Sequence, residues 1–198
     1  MLAAGFHDVP PGHVATVVTT LDMTARAPTR DVPLPDGVSI RAVEDPDVAW
    51  YRDLYMRVGG RDWLWFSRLE MAEADLSAIL HDPGVCVWAV EKDGRAEGLL
   101  ELDFRAEGAC ELAFFGLTAE LIGSGTGRAL MTHAIAEAWA RPITRFWVHT
   151  CTLDSPAALG FYRRSGFIPV SQQIEIAPDP RLTGILPRDA ASHIPVFG

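Results

Sequence analysis

Six residues beyond the middle of the chain, Gly123-Ser124-Gly125-Thr126-Gly127-Arg128, set three glycines at alternate positions. Before them lies Cys110 to Leu117, apolar and strand-like in composition. After them, from about Thr126 to Arg141, Leu130, Ala134, Ile135 and Ala138 fall on one helical face. Glycine admits positive φ and lets a ligand come close to the backbone. Free amides at a helix start, helped by the helix dipole, form an anion site, and a diphosphate is its natural guest. A strand that enters a helix through such a loop calls for mixed α/β layers.

Three familiar phosphate or nucleophile loops can be tested against these residues. A Walker loop requires Gly-Lys-Ser/Thr at its end, but Arg128-Ala129 follows the last glycine. The Gly-x-Gly-x-x-Gly dinucleotide fingerprint finds Arg128 at its third glycine when counted from Gly123, and Leu130 when counted from Gly125. A Gly-x-Ser-x-Gly elbow is absent.

Hydrophobic periodicity organises the rest. Residues 1–37 read as an N-terminal extension, with a β-branched strand over Val14–Leu21 and a Pro-rich, charged linker over 25–37. A domain follows over 38–176. It opens with a strand at Val38–Val43. Asp45-Pro46-Asp47 then starts a helix with Trp50, Leu54 and Val58 on one face, and Gly59-Gly60 ends it. The aromatic run Trp63-Leu64-Trp65-Phe66 leads to a second helix over Glu70–Leu80. Three strands, Val85–Val90, Leu99–Phe104 and Cys110–Leu117, form an antiparallel meander whose first turn is Asp93-Gly94. Past the glycine loop and its helix come a strand at Arg145–Thr150 and a helix over Ser155–Ser165. That helix is capped by Ser155, has Pro156 at its first position and is closed by Gly166. The last strand is Phe167–Ile176, and 177–198 is a Pro-rich tail.

Net charge is −9. No basic stripe marks a nucleic-acid surface, and an acidic chain gains nothing from an anionic membrane. Any phosphate site must therefore be built locally. Cys86, Cys110 and Cys151 are far apart and form no Cys-x-x-Cys pair, so neither a zinc knuckle nor a disulfide framework is indicated. Free thiols suit a reducing cytoplasm. Met1 to Pro11 lacks the basic start and apolar core of a secretion signal.

The stretch Leu117–Met131 resembles the acetyl-CoA motif of the GNAT (GCN5-related) N-acetyltransferase superfamily, Arg/Gln-x-x-Gly-x-Gly/Ala between strand and helix. Gly125 and Gly127 match its glycines, and Ile122 stands where Arg or Gln is usual. Ser155–Phe167 is similar to a later motif of the superfamily: Tyr162 and Gly166-Phe167 agree in type and spacing, and Ser155 occupies a common Asn position. Trp147–Leu159 looks like a bacterial group of undefined substrate. The resemblance runs over about 38–176.

It implies a GNAT acyl-CoA N-acyltransferase fold, with a mixed, mostly antiparallel sheet splayed at its centre and flanked by helices. Acetyl-CoA would lie in the splay and pass its acetyl group directly to an amine of a small molecule or peptide. The alternative is a non-catalytic CoA-binding domain of the same fold. Cofactor contacts would come from Phe115, Gly116, Leu117, Thr118, Gly123, Ser124, Gly125, Thr126, Gly127, Arg128 and Ser155. A bulge near Phe115–Leu117, eased by Gly116, would present an amide to the thioester carbonyl. Tyr162 would return a proton to the leaving thiolate, and Glu111 or Glu101 would act as base. His149 is another candidate to face the cleft, and an amine that arrives neutral needs no strong base. Trp63, Trp65, Phe66 and Arg68 would wall the acceptor. A homodimer is compatible with this family reading.

Overall fold

Asp93 and Gly94 both take positive φ, 51° and 81°, as a tight two-residue hairpin turn demands. They join β3 (Val85–Lys92) to β4 (Arg95–Asp103), and β5 (Ala109–Leu117) continues the antiparallel meander. The computed structural model describes residues 3–198; Met1 and Leu2, the start of the segment read for a secretion signal, lie outside it. β2 (Val38–Val43) pairs with β3 at one edge. On the other side β6 (Arg145–Cys151) runs parallel to β5, but only Ala109, Cys110 and Glu111 find partners, in Arg145, Phe146 and Trp147. Beyond Glu111 the two strands diverge, which leaves the outer edge of β5 without a strand neighbour over 112–117.

β1 (His13–Met23) is longer than the strand expected in the N-terminal extension and lies inside the sheet. It is antiparallel to β6 on one side and to β7 (Ile168–Pro178) on the other. The seven strands thus stand in the order β2-β3-β4-β5-β6-β1-β7.

Strand alternation sends successive side chains to opposite faces, and neighbours on β4 show it. Leu100 and Leu102 enter a cluster with Leu130, Ile135 and Phe146 under α5 (Thr126–Ala138) and α6 (Ala158–Arg164). Leu99 enters a second cluster, with Tyr51, Leu54, Leu76 and Val87, under α1 (Val48–Tyr55) and α4 (Glu73–Leu80). A third cluster joins Val14, Leu64 and Leu153 to Leu186 and Ala190 of the C-terminal tail. The tail is held by Arg181, which is buried against Asp179 and donates Nη1 to the carbonyls of Ala190, Ala191 and Ile194.

Four local expectations differ. Gly59-Gly60 do not end the first helix. It passes through a π turn, Met56–Gly60, into α2 (Arg61–Trp63), and Leu64 at φ 54° stops it. A Cβ on Gly59 would lie 2.0 Å from Cδ2 of Trp65, so the glycine makes room for the indole rather than breaking the helix. The second helix, α4, starts at Glu73 rather than Glu70, because extended ψ values at Met71 and Ala72 separate it from a short preceding helix, α3 (Ser67–Glu70). α6 starts later than expected, with Ala157 at its cap: Ser155 and Pro156 are spent in a turn closed by Ala158 N–H on the Ser155 carbonyl at 2.8 Å. The strand bulge lies at Ala113, between the pairs Leu102–Leu112 and Glu101–Phe114, and not at Phe115–Leu117. Gly116 instead serves close packing, since a Cβ there would be 2.4 Å from Cγ1 of Val58. No described helix is long and apolar enough to cross a membrane.

Candidate active site

Where β5 and β6 part, a cavity of about 1350 Å³ opens through the sheet. One end is the glycine loop. Gly123 and Gly125 take φ of 82° and 92°, a conformation glycine adopts without strain, and a Cβ at either would meet nothing within 4 Å. The amides of Gly123, Gly125 and Gly127 donate to no backbone or side-chain acceptor among the described residues. Three free N–H groups over an open concavity at the start of α5 fit an anionic diphosphate. Ser124 braces the loop from behind by donating Oγ to the Leu121 carbonyl at 2.7 Å, and its Oγ shares a 2.8 Å hydrogen bond with Thr126.

Of the residues expected at the cofactor, Phe115, Gly116, Leu117, Gly123, Gly125, Gly127, Arg128 and Ser155 line the cavity. Ser124, Thr118 and Thr126 are not on its wall. Thr118 is buried and donates Oγ1 to Glu97 at 2.6 Å. Ile122 is exposed beside the loop and offers no polar side chain.

Tyr162 of α6 lines the cavity, with its ring packed against Phe115, Phe161 and Phe167. Burial, and then the charge of Asp154, push its phenol well above its usual range, so it stays protonated at neutral pH. Asp154 is itself fixed: Oδ1 accepts from Trp65 Nε1 at 2.9 Å, and Oδ2 accepts from Thr150 Oγ1 at 2.7 Å and the Cys151 amide at 3.0 Å.

The candidate bases separate. Glu101 is fully buried and off the cavity wall, accepts from the Tyr51 hydroxyl and pairs with Arg68 at 2.5 Å. Burial would lower the Arg68 guanidinium, but the Glu101 carboxylate reverses this and raises it. Glu111 is not on the cavity wall but stands 3.3 Å from Nδ1 of His149, which is. Hydrogen bonding to the Glu111 carboxylate, which accepts, raises the His149 imidazole above its ordinary value. Partial burial opposes the shift, and the charges of Glu111, Asp154 and Glu175 reinforce it.

The far end of the cavity is aromatic. Tyr55, Trp65 and Phe114 form a triangle with centroid separations of 4.9 to 5.4 Å. Trp63 and Phe66 join this wall, but Arg68 does not: its guanidinium lies behind Phe114, 5.1 Å from the ring centroid. Sequence reasoning did not find Asp154, Glu175, Arg30 or Arg164 on the wall. They stand in a turn, on an edge strand, in the linker and at a helix end, and no periodicity marks those places.

The model of the acetyltransferase (GNAT) family matches residues 47–167. No curated protein is significantly similar in sequence. Among solved structures, a GCN5-related N-acetyltransferase from Sphaerobacter thermophilus superposes with a TM-score of 0.60 at 16% identity, covering 90% of this chain and 54% of that one. This chain thus spans little more than half the length of that protein. The ribosomal-protein-S18-alanine N-acetyltransferase of Escherichia coli superposes with a TM-score of 0.55 at 16% identity, covering 72% of this chain and 94% of that one. An aminoglycoside acetyltransferase from an uncultured soil metagenomic sample, in complex with sisomicin, gives 0.53 at 14% identity, covering 66% and 88%. With the family model matched from the first helix through the Tyr162 helix, and the sheet splayed over a glycine loop, the chain belongs to the GNAT acetyltransferase family.

Proposed function

We propose that the chain is an N-acetyltransferase that moves an acetyl group from acetyl-CoA directly to a primary amine of a small molecule or peptide. The observation that carries this reading is one cavity in which free glycine-loop amides, a protonated phenol and a carboxylate-backed imidazole share the same lining. When bound, acetyl-CoA supplies a thioester carbonyl to an attacking amine and leaves as the thiol.

The chain's own groups divide the remaining work. The amides of Gly123, Gly125 and Gly127 hold the diphosphate by hydrogen bonds that the helix dipole strengthens. Phe115, Gly116 and Leu117, on the free edge of β5 and on the cavity wall, would flank the acyl chain. His149, made more basic by Glu111, takes the proton that the amine must lose. Tyr162 gives its proton to the departing sulfur. Glu101 has no path to the acceptor. It fixes Arg68, and through it Phe114, and so positions the aromatic wall. Aromatic faces and the nearby carboxylates of Asp154 and Glu175 favour a cationic amine over an anionic one. Amine acceptors also appear in the names of two structural neighbours, a ribosomal-protein alanine and an aminoglycoside.

The test is thiol release from acetyl-CoA across a panel of primary amines, with the acetylated product identified by mass spectrometry. Amine-dependent thiol release with a matching N-acetyl product is the expected result. Binding of acetyl-CoA without transfer to any amine would overturn the catalytic reading.

A further inference from the structure

β1 stands sixth in the sheet and β2 first, so residues 24–37 must travel from one side of the sheet to the opposite edge. Two contacts fix their route. Ala27 occupies the space left by Gly166 at the end of α6: a Cβ on that glycine would fall 2.5 Å from the Ala27 Cβ. Further on, Thr132 of α5 donates Oγ1 to the Arg30 carbonyl at 3.3 Å. The connection therefore ties together the two helices that flank the cleft, and Pro28, Thr29 and Arg30 form part of the cavity wall.

Charge marks this part of the cavity. Arg30, Arg128 and Arg164 all line it, and none of them forms an ion pair with a carboxylate among the described residues. In a chain of net charge −9, three unmatched guanidinium groups on the lining of one cavity are a local positive contribution against an acidic background. Arg128 is next to the glycine loop. Arg30 is held at Thr132, six residues after the helix start at Thr126, or ~9 Å further along the axis. Backbone amides of the loop do not reach that far, so an anion there depends on side-chain donors.

We propose that residues 24–37 form a strap across the outer end of the cleft and that Arg30, with Arg164 on the facing helix, binds the 3′-phosphomonoester of the CoA nucleotide. This rests on the acyl-CoA reading of the cleft. A diphosphate on the glycine-loop amides leaves the ribose phosphate as the remaining dianion, and a guanidinium fork suits a phosphomonoester. The strap supplies the cation that Ile122 does not offer at the loop.

Calorimetry with CoA and with dephospho-CoA, which lacks only that phosphate, tests the assignment. Wild type is expected to bind CoA about tenfold more tightly than dephospho-CoA, a charge-assisted contact discounted for solvent exposure. Arg30→Ala should lose most of that preference while keeping its dephospho-CoA affinity, and Arg30→Lys should keep part of it. The Arg30 side chain is exposed, so neither change threatens the fold. A variant that retains the wild-type preference, or one that loses both ligands equally, would overturn the role of Arg30. Wild type that binds both ligands alike would overturn the phosphomonoester site and leave the cleft assignment standing. Wild type that binds neither would sink both.

Discussion

Nδ1 of His149 lies 3.3 Å from Oε1 of Glu111, just past the last paired step of β5 and β6, where the cleft begins to open. The two residues come from strands that are adjacent in space but separated in sequence by the glycine loop and α5. A carboxylate beside an imidazole favours its protonated form, and the other charges facing His149, Asp154 from the β6–α6 turn and Glu175 from β7, act in the same sense.

This relationship predicts the pH dependence of turnover. The base form of His149 is the neutral one, so kcat/KM should rise with pH through an apparent pKa above the usual imidazole value of ~6.5. Glu111→Gln removes the charge, keeps the shape, and should move that limb to lower pH. The sign for stability is opposite. A raised folded-state pKa gives His149 a stabilising contribution that is complete below the ordinary imidazole pKa and is lost as pH rises through the folded value. A pH profile identical in Glu111→Gln and wild type would show that Glu111 does not tune the base.

Gly125→Val should abolish the stabilisation that acetyl-CoA gives to wild type. Valine is strained at a φ of 92° and would place its methyl groups where the loop now meets nothing within 4 Å. The strain costs about 1–3 kcal/mol, so the variant should melt lower even without ligand. The diagnostic quantity is the ligand-induced shift in Tm, not the Tm itself. An undiminished shift would place the diphosphate away from this loop.

The glycine loop, its flanking strand and helix, and the meander were legible in the sequence because each rests on local patterning: alternation, a 3.6-residue period, a Gly-containing turn. The place of β1 was not. A β-branched run such as Val14–Leu21 announces a strand but carries nothing about its partners, and its pairing with β6 and β7 spans well over a hundred residues of sequence. The site divided in the same way. Gly125 and Tyr162 sit within contiguous motifs. Glu101 and Glu111 looked alike, as carboxylates on neighbouring strands, but the fold buries one against Arg68 and sets the other beside His149. Gly59 and Gly116 read as a helix stop and a bulge because glycine signals freedom locally; both are glycine because Trp65 and Val58 press against them.

Glu101→Gln should lower stability more than a surface substitution would. It leaves the Arg68 guanidinium buried beside a neutral amide, and removing one partner of a buried ion pair typically costs about 3–5 kcal/mol. Urea titration should show a lower midpoint with an unchanged slope. Turnover per folded molecule should fall less than in a His149 variant, because Glu101 does not reach the cavity. A Glu101→Gln enzyme that is fully stable yet inactive would return Glu101 to the role of general base.

Tyr162→Phe separates the phenol from the ring. The ring packs against Phe115, Phe161 and Phe167, and phenylalanine preserves all three contacts. What is lost is a hydroxyl on the cavity lining, kept protonated by burial and by Asp154, that the proposed mechanism sets against the leaving thiol. An interaction made only as the C–S bond breaks contributes to the transition state and not to ground-state binding. The expected result is a fall in kcat of about 10²–10⁴, the usual range for a general acid, with the Kd for acetyl-CoA changed little. Pre-steady-state measurements should establish that chemistry, rather than product release, limits the rate in both proteins. Acyl donors whose leaving thiols are more acidic need less help from an acid, so they should lose less activity in the variant than acetyl-CoA does. A uniform loss across all donors, together with weakened CoA binding, would instead assign Tyr162 to shaping the cleft.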